Sequence, residues 1–97
     1  MEISRNAKIS KTAHALVQEL VHEAVLLNVE TNQYYRLNED SLRMFTVLTN
    51  SATAGEAHAV LAAEYDVQPE ELWGDLAAFI DELQKCGLIA VLDEPLG

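Results

Sequence analysis

The hydrophobic pattern along the chain changes period once, near residue 38, and that change predicts the architecture. Upstream, the run Ala24–Val29 is apolar and β-branched, and Gln33–Leu37 carries two tyrosines; both favour a pleated surface. Between them stands Glu30-Thr31-Asn32, read as a three-residue loop with Asn32 in the left-handed region, which Asn tolerates better than other non-glycine residues. That register sets Val29 opposite Gln33, Leu27 opposite Tyr35 and Val25 opposite Leu37. It predicts one face of Val25, Leu27, Val29, Tyr35 and Leu37, and another of Leu26, Asn28, Tyr34 and Arg36. Nearer the N-terminus, Ile3, Ala7 and Ile9 alternate with polar residues and predict a strand within residues 2–10. Residues 13–21 fit a helical turn through Ala13, Leu16, Val17 and Leu20, and equally a strand over Leu16–Val21.

Downstream of Leu37 the period becomes helical. Asn38 is placed to cap the first helix, with Glu39 and Asp40 where the helix dipole favours negative charge. Leu42, Phe45, Val47 and Leu48 form its apolar side, and Asn50-Ser51 ends it. Thr53-Ala54-Gly55-Glu56 has the form of a capping box for a second helix, about Ala54 to Tyr65, burying Ala57, Val60, Leu61 and Tyr65. Pro69 suits the first position of a third helix, where its missing N–H costs nothing. That helix runs to about Cys86 with Leu72, Leu76, Phe79, Ile80 and Leu83 as its stripe, and Gly87 stops it. Leu88–Leu92 is a short apolar run able to pair or to pack, and residues 93–97 read as a frayed tail. The whole is one α+β domain over residues 1–97, with its core in 21–92. N-terminal antiparallel strands, two or three of them, pack on three helices in a winged-helix-turn-helix-like arrangement.

Charge narrows the partners. Sixteen acidic against 6 basic residues in 97 give a formal charge of −10, which disfavours nucleic acid and anionic membranes, whose phosphates need Lys and Arg. A single cysteine, Cys86, forbids an internal disulfide and fits a reducing compartment. No apolar run reaches the roughly 20 residues of a membrane span, and MEISRNAKIS lacks the form of a secretory signal, so the expectation is a cytoplasmic protein. His14, His22 and His58 show no metal-ligand spacing, and neither a phosphate loop nor a catalytic set can be assembled. The residues thus predict no enzyme activity, no metal and no cofactor.

Two segments carry a family resemblance. LLNVETNQYYRLNED, followed by a capped helix, resembles the LLD-x-x-x-G-x-YY-x-LN signature of PqqD-like proteins, and YDVQPEELWGDLAAFIDELQKCGLI resembles that family's third helix. Together they span about Val21 to Ile89. The chain departs from the pattern at Asn28, where an acid is usual, at Asn32, where Gly is usual, and at Phe45, where Trp is frequent. The resemblance implies a recognition element for ribosomally made, modified peptides (a RiPP recognition element). Such an element binds the leader of a precursor peptide by adding it as a strand and presents the peptide to processing enzymes. A free-standing domain of this length is most similar to the leader-binding subunit of lasso-peptide biosynthesis, which works with a leader protease and a cyclase. The PqqD-type chaperone of pyrroloquinoline quinone biosynthesis is the alternative within the family.

Read for that role, the second strand supplies Gln33, Tyr34, Tyr35, Arg36 and Leu37 as the edge, and the third helix supplies Leu72, Leu76 and Phe79 as an apolar wall with Asp75 for a basic or hydroxyl group. An exposed edge offers unpaired N–H and C=O groups to an extended peptide, while side-chain pockets set specificity. Each residue also has a plainer reading: Tyr35, Leu37 and Phe79 as core, Tyr34 and Arg36 as a solvated strand face, Asp75 as an ordinary helix charge. From another class, a winged-helix DNA-binding regulator shares the architecture. Its recognition helix needs Lys and Arg, and Pro69–Cys86 has Lys85 alone against Glu70, Glu71, Asp75, Asp81 and Glu82, with Asp66 just before.

Overall fold

The computed structural model describes residues 3–92; the expected tail, 93–97, lies outside the described residues, as does the first residue of the 2–10 segment. Five strands and three helices follow one another: β1 (Lys8–Lys11), β2 (Ala15–Leu20), β3 (Glu23–Asn28), β4 (Tyr34–Leu37), α1 (Glu39–Asn50), α2 (Ala54–Glu64), α3 (Pro69–Lys85) and β5 (Ile89–Leu92). β2, β3 and β4 form an antiparallel meander in that order. β1 and β5 make a separate antiparallel pair, with Ile9 opposite Val91, which joins the two ends of the described chain. The α+β class predicted from the change of period is the one observed. Within the ambiguous segment 13–21, Ala15–Leu20 is a strand, and the apolar run after α3 pairs rather than merely packs. The N-terminal strand starts at Lys8, and the two residues before its start are Asn6 and Ala7, outside any strand.

The helices begin where capping chemistry allows. Asn38 Oδ1 accepts from Ser41 N at 2.9 Å while Ser41 Oγ accepts from Asn38 N at 2.9 Å, a reciprocal cap that releases the chain from β4 into α1 within one residue. At α2 the expected box is half formed: Thr53 Oγ1 accepts from Glu56 N at 3.1 Å, but the Glu56 carboxylate takes Ala52 N at 3.2 Å. Pro69 opens α3, and Gly87, at φ +71°, turns the chain out of it into β5. Lys8 Nζ donates to Thr49 O and Ser51 O at 3.2 and 2.6 Å, placing a cation on the carbonyl end of α1, as its dipole favours.

One core joins all layers. Ile9, Leu26, Leu37, Leu48, Leu61, Leu76, Ile80, Leu83 and Leu88 are fully buried in it. Val60, expected inside, lies 44% exposed on the solvent side of α2, while His58 is buried in its place. The His58 ring is held by Arg5 Nη1 on Nδ1 at 3.3 Å and by the Pro69 carbonyl at Nε2 at 2.7 Å, so both nitrogens are satisfied.

The hairpin register differs from the expected one by a single residue. Tyr35 pairs with Leu26 and Leu37 with Ala24, across the four residues 29–32. A slip of one exchanges the two faces of a strand. Ala24, Leu26 and Asn28 therefore point inward, while Val25 and Leu27 lie half-buried on the outer side and Val29 is exposed. The cause is Asn28. Its Oδ1 accepts from Glu30 N and Thr31 N at 2.9 and 3.3 Å, folding the turn, and its Nδ2 donates to Cys86 O at 3.0 Å at the end of α3. A polar residue whose side-chain oxygen and nitrogen both have partners is tolerated in the core, and hydropathy alone assigned it to the other face. Asn32 does take the left-handed conformation expected of it, at φ +61°.

Candidate functional site

Among the described residues β4 is an edge of the three-stranded sheet, paired to β3 alone. The hydrogen bond from Asn28 N to Gln33 O, 2.8 Å, fixes the alternation along the hairpin. Bonded pairs recur every second residue of an antiparallel ladder, so Tyr35 and Leu37 exchange bonds with β3. The N–H and C=O of Tyr34 and Arg36 then point away from it, to the open edge. Among the described residues, no turn, loop or side-chain hydrogen bond uses those four groups.

The pleat sorts the side chains of the edge. Tyr35 and Leu37 face the helices; Leu37 is buried and Tyr35 partly so, packed against the core. Tyr34, 68% exposed, and Arg36 face outward. Arg36 Nη2 lies 3.5 Å from Glu23 Oε1 on the neighbouring strand. Opposite the inner side stands α3, on which Asp75, Phe79, Glu82 and Cys86 recur at four-, three- and four-residue steps and so share a stripe. The Tyr35 hydroxyl meets this stripe. Burial, then the neighbouring Glu82 carboxylate, raises its pKa above the ordinary tyrosine value, with a smaller contribution from Cys86. The Tyr35 side chain therefore reaches toward the C-terminal half of α3.

The predicted site residues separate into two groups. Gln33, Tyr34, Arg36 and Asp75 are exposed, and Tyr35 is half-buried between edge and helix. Leu37, Leu72 and Leu76 are 1%, 2% and 0% exposed, and Phe79 is 8% exposed. Their side chains belong to the common core, so the wall expected from α3 is core with a polar rim. Glu82 was not among the predicted site residues; it lies seven residues beyond Asp75, two helical turns along the same side, and is exposed.

Two further features frame the edge. The turn end of the hairpin is tied to the end of α3 by Asn28 on Cys86 O, and the β1–β2 connection is held to the same place by His14 Nε2 at 2.8 Å from Gly87 O and by Thr12 Oγ1 donating to Gly87 O at 2.9 Å. On the outer face, Leu16, Val17, Gln18, Val25, Leu27 and Tyr34 line an open depression of about 540 Å³. It lies across the sheet from α3, not between α3 and β4. Strand addition, were it to occur at the edge, would use unpaired backbone rather than a preformed cavity. Among the described residues, no group of three or more His, Cys, Asp or Glu is arranged to hold a metal ion, and no helix is long and apolar enough to cross a membrane.

A short meander whose β4 edge is unpaired among the described residues, packed with three helices on one core, defines a small α+β domain. The chain belongs to the PqqD family: the model of coenzyme PQQ synthesis protein D matches residues 23–89, from the start of β3 to the start of β5. Two solved structures share the fold. TbiB1, solved in complex with the TbiA(beta) leader peptide, superposes with a TM-score of 0.77 at 24% identity over 82% of this chain and 93% of its own. Lasso peptide synthetase B1, solved with its leader peptide, gives 0.77 at 20% identity over 86% and 98%. No curated protein matches the sequence.

Proposed function

We propose that this protein is a non-catalytic recognition domain that holds the leader segment of a ribosomally synthesised precursor peptide and delivers it to the enzymes that process it, a leader protease and a cyclase of a lasso-peptide pathway. The leader adds as a fourth strand beside β4. The observation that carries this reading is the unpaired backbone of Tyr34 and Arg36, set beside α3 in a member of the PqqD family. Each such strand bond contributes about 0.5–1.5 kcal/mol net, and Tyr35, with the α3 rim behind it, adds side-chain contact. The two B1 structures, both solved with leader peptides, support the lasso pathway over a role in quinone biosynthesis.

The test is fluorescence anisotropy with a labelled leader from a precursor encoded beside this gene and, separately, with duplex DNA. Saturable leader binding with no DNA binding is expected. Binding to DNA with none to any neighbouring leader overturns the reading in favour of a winged-helix regulator.

A further inference from the structure

The two sides of the β4 edge carry opposite charge. Outward stands Arg36, 70% exposed in its side chain and paired to Glu23 at 3.5 Å. The other five cations are placed elsewhere: Arg5 over the Trp73 ring, Lys8 on the α1 carbonyls, Lys11 on Ala15 O, Arg43 on Glu64 and Lys85 on Asp81. Inward stands the Glu82 carboxylate beside the Tyr35 hydroxyl, with Asp75 two turns up the same stripe. Among the described residues neither Glu82 nor Asp75 has a cationic partner. Along the outward face, Leu16, Leu27 and Tyr34 lie side by side across β2, β3 and β4 as one apolar row that ends at the open edge.

An added strand must present its side chains to these two faces alternately. We propose that the edge reads the charge pattern of the incoming strand: an acidic residue opposite Arg36, a cationic or hydroxyl residue opposite Tyr35 and against Glu82, and a large apolar residue opposite Tyr34. Antiparallel addition, the slightly more stable pairing, gives the order acid, cation or hydroxyl, apolar from the N-terminal side of the guest. Cross-strand pairs of opposite charge stabilise a sheet and like charges directly opposite destabilise it. In a protein of net charge −10, an acidic guest residue turned inward meets Glu82 and Asp75, with the nearby Lys85 already paired to Asp81, whereas turned outward it shares the five N–H donors of Arg36. Charge thus fixes which face of the guest is which, and with it the register, while the backbone supplies affinity without sequence preference.

This inference rests on the peptide-binding reading above, and a random library of ten-residue peptides displayed against the full chain separates the two. Enrichment of the acid, cation or hydroxyl, apolar order is the expected result. A double charge reversal, Arg36→Glu with Glu82→Lys, is expected to enrich the inverted order, and peptides of the two orders with identical composition should differ about fivefold in affinity for the native chain, less in 1 M salt. Both substitutions are on exposed residues, and circular dichroism checks that the fold is kept. Enriched peptides without a charge pattern, or an unchanged pattern in the reversed variant, overturn the inference and leave the peptide-binding reading standing. No enrichment of any peptide overturns both.

Discussion

The meander has two open edges, and they differ in what lies behind them. β2 has one buried residue, Ala15; Leu16, Val17 and Leu20 are 55%, 37% and 49% exposed. The bond from Val29 N to His14 O sets its alternation, so Val17 and Glu19 turn their N–H and C=O outward, while the Ala15 carbonyl is taken by Lys11 Nζ at 2.7 Å. β4 offers the same kind of backbone edge. Behind it, however, are the buried Leu37, the half-buried Tyr35 and the polar rim of α3. An unpaired edge is therefore not in itself a recognition site. What distinguishes β4 is this second wall, which in the proposed function would inspect one face of the leader.

Substitutions at matched positions should break or sharpen that contrast. Phe79→Ala, beneath the β4 edge, is expected to cost about 3–5 kcal/mol of stability in urea unfolding, and Leu16→Ala on β2 about 0.5 kcal/mol or less. A small loss at Phe79 would mean that the wall is not anchored in the core. Asn28→Asp removes the donor to Cys86 O and sets a carboxylate against that carbonyl; a loss of about 1–3 kcal/mol is expected. Arg36→Pro deletes an N–H that faces the open edge and leaves the β3 ladder intact, as edge strands permit. About tenfold weaker leader binding is expected by anisotropy, with none from Val17→Pro on the other edge. Equal losses at both would end the distinction between the edges.

Two pH effects complete the series. The Tyr35 pKa is raised in the folded state, so the folded chain holds that proton more tightly than the unfolded chain. Its contribution is fully present below pH 10, about where the unfolded tyrosine titrates, and is lost as pH rises through the higher folded value. Tyr35→Phe should flatten this part of an alkaline unfolding profile. Glu64, facing Arg43 across α1 and α2, has its pKa lowered mainly by that hydrogen bond. Its stabilisation is present above the unfolded glutamate value, near 4.5, and is lost as pH falls through the lower folded one. As both partners are solvent-exposed, Glu64→Gln should change acid unfolding little.

Much of this was legible from local chemistry. The Asn38 cap, the Pro69 start, the Gly87 stop and the helical stripe of α3 each depend on residues within a few positions of one another, and each stands where the sequence put it. The edge strand was legible too, because its tyrosines and its turn are contiguous. Glu82, one of the charges read as a solvated helix face, is exposed as expected. The register was not legible: the residue that decides it, Asn28, looks like a surface residue until Cys86, 58 positions away, is brought to its side chain.

By itself the sequence determined the number and order of the helices, the hairpin and the acidic character of the chain, since capping, turn preference and charge are local or additive. Tertiary structure alone decided which face of the hairpin is inside, that β1 and β5 close on each other, and which edge gains a second wall. Those outcomes depend on distant groups finding partners, and a one-residue shift in pairing exchanges every side chain between core and solvent.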